Sequence, residues 1–119
     1  MAYQICFVTV GNLTNAQKIA NLLVEKKLAA CVSILSQVKS IYRWQNKMEK
    51  ADEFLLIIKS RKKLSKDIIQ LVKENHNYTV PEVIFADIVD GNEEYLDWIG
   101  ANTLFDTNIS KDKNTKKNI

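Results

Sequence analysis

His76 is the only histidine in the chain and lies in the segment H-N-Y-T-V-P-E, residues 76–82, close to the only proline, Pro81. A neutral imidazole suits copper, zinc or nickel, which makes His76 the candidate metal ligand; the competing reading is a helix-end histidine favoured by the local dipole. Cys6 and Cys31 lie in apolar runs without a C-x-x-C pair, a context that favours packed thiols over a disulfide framework or a zinc knuckle. Glu49, Glu53 and Glu82 are carboxylates that, brought together at a cleft, would bind a cation or move a proton; solvated or salt-bridged side chains are the plainer reading. Tyr42, Trp44, Tyr95 and Trp98 suit either a ligand cleft or a permanent interface, and their polar tips favour the interface. The basic run Lys59–Lys63, including Arg61 and Lys62, stands ahead of a helix and suits an anion there, with a solvated face as the default. No nucleophile–base pair, glycine-rich phosphate loop or metal-hydrolase motif is visible, so no catalytic residue is assigned and the expectation is a protein without enzymatic activity.

These residues need elements to position them. Tyr3–Val10 is β-branched and aromatic and stops at Gly11-Asn12, which reads as a first strand and a turn. Thr14-x-x-Gln17 has the form of a capping box, and Ala16, Ile19, Ala20, Leu23 and Lys27 share one helical face that closes near Lys26-Lys27. Leu28–Leu35 reads as a mostly buried strand. Ser40–Trp44, with a turn at Gln45-Asn46-Lys47, predicts a protruding β-hairpin whose return arm passes Glu49 and Glu53 into Phe54–Ile58. Five apolar residues in succession require cover on both faces. Leu64, Ile68, Leu71 and Val72 mark a second helix that ends near Asn75-His76. Pro81 then leads into a strand over Val83–Val89, Asp90-Gly91-Asn92 turns the chain, and Glu93 and Glu94 open a terminal helix.

Two strand–helix–strand units within one small domain predict an α+β fold of the ferredoxin-like, split βαβ type, with an extended β-hairpin. Two main helices cover only one sheet face, so the apolar strands predict that another subunit covers the second. The 119 residues suggest one domain, placed at 1–105. The formal charge is +3, yet residues 1–105 hold 13 basic against 12 acidic side chains. The polar stretch 106–119 has little to bury and is expected to be a disordered tail, and its four lysines are too diluted to indicate a nucleic-acid partner. No run of about 18 apolar residues occurs and no leader pattern opens the chain, which predicts neither a membrane span nor a signal peptide and places the protein in the cytoplasm.

Leu28-Ala29-Ala30-Cys31-Val32, the spaced set Ser40, Tyr42, Trp44, Lys47 and Glu53, then Tyr78, Pro81-Glu82, Gly91 and Tyr95-Leu96-x-Trp98 form a combination that resembles the CutA divalent-cation tolerance family over about residues 3–100. The resemblance implies a ferredoxin-like homotrimer whose long hairpins join sheets between subunits, and a part in tolerance of divalent metals, with copper or another divalent cation weakly bound. Where the family places copper ligands, in a first-strand cysteine and consecutive histidines, this chain has Val8, Asn75 and His76, so His76 is the one ligand retained. The glycine usual before Lys47 is Asn46, which also tolerates turn conformations. A small-ligand sensor on the same trimer plan, resembling the PII signalling proteins, is the alternative.

Overall fold

The computed structural model describes residues 2–105; the expected tail, 106–119, lies outside the described residues. The elements in chain order are strand β1 (Tyr3–Val10), helix α1 (Leu13–Glu25), strands β2 (Cys31–Trp44) and β3 (Lys47–Arg61), a 3-10 turn at Lys62–Leu64, helix α2 (Ser65–Asn75), strand β4 (Val83–Ile88) and helix α3 (Glu93–Ala101). The strands form one antiparallel sheet in the order β2-β3-β1-β4, so the chain is a mixed α+β protein.

Strand alternation assigns the two sheet faces. Cys6 pairs with Ile58 and Phe85, and Val8 with Leu56 and Val83, so these side chains share one face. There they meet Ala16, Ile19 and Leu23 of α1 and Ile68, Leu71 and Val72 of α2, all within the buried core. On the other face Ile5 and Phe7 lie across from Lys59 and Ile57, and Ile84 lies across from Phe7. Ile5, Phe7, Leu55 and Ile57 are only partly buried there, and Leu35 and Ile84 are exposed. α3 reaches one end of this second face. Arg61 fastens it: Nη2 donates to the Gly100 carbonyl at 2.9 Å and Nε to Thr103 Oγ1 at 3.1 Å, so a cation from β3 faces the carbonyl end of α3.

Several expectations need correction. The N-cap of α1 is Asn12, whose Oδ1 accepts from the Asn15 N–H at 2.8 Å, and Thr14 and Gln17 do not form the capping box. α1 stops at Glu25, so Lys27 is not on its face; it stands beyond the end in the left-handed region with φ 59. The Leu28 and Ala29 N–H groups both bond back to the Leu23 carbonyl, which delays β2 to Cys31. β2 is not mostly buried, because it is a sheet edge and its other face is bare. It also continues without a break from Cys31 into the hairpin arm, with an irregularity between Leu35 and Val38 where Gln37 has φ 62. The hairpin tip is a two-residue turn with positive φ at Gln45 (51) and Asn46 (65), the geometry whose twist matches antiparallel arms. β4 ends at Ile88, one residue short of Val89, which is exposed.

A candidate groove between the hairpin and the loop after helix α2

Helix α2 ends at Asn75, and the next three residues tie its end to the sheet. The Tyr78 N–H donates to His76 Nδ1 at 2.9 Å, so that nitrogen carries the lone pair and the ring proton sits on Nε2. Nε2 then donates to the Thr9 carbonyl at the end of β1, 2.7 Å away. Both ring nitrogens are thereby committed to the backbone. Tyr78 turns back over the sheet and donates its hydroxyl to Glu53 Oε2 at 2.9 Å. The Tyr78 ring reaches that position because residue 11 is glycine: a Cβ on Gly11 would stand 2.9 Å from the Tyr78 hydroxyl oxygen. The His76 and Tyr78 rings pack tilted, with centroids 4.7 Å apart.

Glu53 is 7% exposed although it lies on the return arm of the hairpin. Burial of the Tyr78 hydroxyl, then its hydrogen bond to Glu53 and that carboxylate's charge, push the tyrosine up to about 12. It remains a neutral donor at physiological pH. Around this pair opens a groove of about 640 Å³, lined from the hairpin side by Ser40, Ile41, Tyr42, Trp44 and Glu53, from the loop side by Asn77, Tyr78, Thr79, Val80 and Glu82, and at its floor by Thr9. Its size is that of an ordinary small-ligand cleft, about 300–1,000 Å³.

The structure thus brings Tyr42, Trp44, Glu53 and Glu82 together and leaves the other candidates elsewhere. Glu49 does not line the groove. Cys6 is fully buried in the core, where burial pushes its thiol up to about 12. Cys31 is only partly buried, and burial first, then the neighbouring Cys31 thiol, raise the Tyr95 pKa. Tyr95 and Trp98 stack on each other along α3, with centroids 5.5 Å apart, away from the groove. The basic run is not a uniform solvated face: Arg61 binds α3 as described, and Lys62 reaches Asp87 at 3.1 Å. Tyr78 and Gly11 carry no chemical signature of a site in sequence. The signal for them is the coincidence of a tyrosine just after a helix end with a glycine at the end of β1.

The donor set does not fit a metal ion held within one chain. His76 uses its proton and its lone pair on backbone groups, and among the described residues no three His, Cys, Asp or Glu side chains gather as a metal would need.

Fold and groove together define a small antiparallel α+β protein that presents a ligand-sized trough where a long β-hairpin meets the loop after a helix. The chain belongs to the CutA1 divalent ion tolerance protein family, whose pattern matches residues 4–102. It is 42% identical over 100 residues to the divalent-cation tolerance protein CutA of Thermus thermophilus, covering 84% of this chain and 97% of that one. It is equally 42% identical over 99 residues to the chloroplastic protein CutA of Arabidopsis thaliana, covering 83% of this chain but 54% of the plant protein, so it spans about half the length of that relative. The solved CutA1 of Oryza sativa superposes with a TM-score of 0.86 at 39% identity, covering 88% of this chain and 96% of the rice chain.

Proposed function

We propose that this chain acts in divalent-cation tolerance as a non-catalytic, cytoplasmic homotrimer of ferredoxin-like subunits. The strand order β2-β3-β1-β4 and the two helices on one face support the ferredoxin-like reading. The observation that carries the trimer is the second sheet face, where Leu35, Ile84 and the half-buried Ile5, Phe7 and Ile57 form an apolar strip in the single chain. Contiguous apolar side chains on one sheet face, unlike singly scattered ones, ask for a partner surface. Copper contact in this reading is weak, because His76 must release the Thr9 carbonyl or the Tyr78 N–H before it offers a lone pair. Tolerance then depends on the assembly more than on sequestration of the ion.

The test pairs assembly with phenotype. Expression in cells lacking their own homologue should restore growth at raised Cu²⁺, and the purified protein should scatter light as a species of about three times 13.7 kDa. Restored growth with a monomeric protein would overturn the trimer, and no restoration would overturn the tolerance role.

A second reading, a small-ligand sensing trimer, is favoured by one observation. The groove joins ligand-sized volume to a buried carboxylate, Glu53, that accepts a hydrogen bond from the Tyr78 hydroxyl. A screen for ligands that change the melting temperature separates the two.

A further inference from the structure

We draw no further inference here: the strongest candidate, the side-chain cluster of Cys31, Tyr95 and Trp98 where β2 meets α3, lies on the sheet face that the proposed trimer covers, and no second group among the described residues points to a ligand for its one cysteine.

Discussion

Tyr78 donates its hydroxyl to Oε2 of Glu53 at 2.9 Å, joining the loop after α2 to the return arm of the hairpin, 25 residues apart in sequence. Because the acceptor is a carboxylate in a nearly buried position, removing the donor leaves an unmet group and not merely one contact fewer. Tyr78→Phe should therefore destabilise the fold by about 1–2 kcal/mol, read as a lower urea midpoint with unchanged slope. An unchanged midpoint would show that water replaces the hydroxyl without loss.

Gly11→Ala tests the same contact from the other side. The new methyl would stand 2.9 Å from the Tyr78 hydroxyl oxygen and must push the ring off Glu53. It should lower stability by about 1–3 kcal/mol. A double-mutant cycle with Tyr78→Phe should show strong non-additivity, since both changes remove one interaction. Additive losses would mean that Gly11 matters for its backbone alone.

Alkaline pH should weaken the fold through two groups. Cys6 is raised from 9.0 to about 12 by burial, and Tyr78 from 10.0 to about 12 by burial, its hydrogen bond and the Glu53 charge. A raised folded-state value means that the unfolded chain loses the proton first, so the contribution is whole below the unfolded value and disappears as pH rises through the folded one. The urea midpoint should accordingly fall between about pH 9 and 12 on account of these groups. Tyr78→Phe should flatten the upper part of that fall, and an identical profile in the variant would remove Tyr78 from the explanation.

His76→Ala should cost stability as well as any metal contact. The ring joins the end of α2 to β1 through Thr9 and caps the Tyr78 N–H, so two hydrogen bonds are lost and about 1–3 kcal/mol of stability with them. Wild-type Cu²⁺ binding should be micromolar or weaker, about −8 kcal/mol at most. Calorimetric binding tighter than that, abolished by His76→Ala, would show that the ring gives up its backbone partners readily.

Trp44→Ala probes the hairpin in the assembly. Trp44 is 44% exposed in the single chain, so a large loss of trimer stability, about 3 kcal/mol or more, is expected only where another subunit buries it. Denaturation over a range of protein concentrations reads this directly. No change would place Trp44 at an open groove wall.

The order of elements was legible in the sequence because local chemistry sets it. β-branched runs made Tyr3–Val10 and Phe54–Ile58 strands, the apolar stripe of Ile68, Leu71 and Val72 made a helix, and Glu93 and Glu94 marked the start of another. The N-cap of α1 and the start of β2 were misplaced, since Asn12 and Thr14 both suit a cap and only the packing of Leu28 and Ala29 into the core decides where the strand resumes. The site followed the same division. Tyr42, Trp44, Glu53 and Glu82 were identifiable as residue types able to line a cleft, but their meeting depends on antiparallel register and on the path of the 77–82 loop. His76 was identifiable as a possible ligand from its chemistry alone. Whether a ring nitrogen is free is a question of what lies within about 3 Å of it, and only the tertiary structure brings the Thr9 carbonyl, 67 residues away, to Nε2.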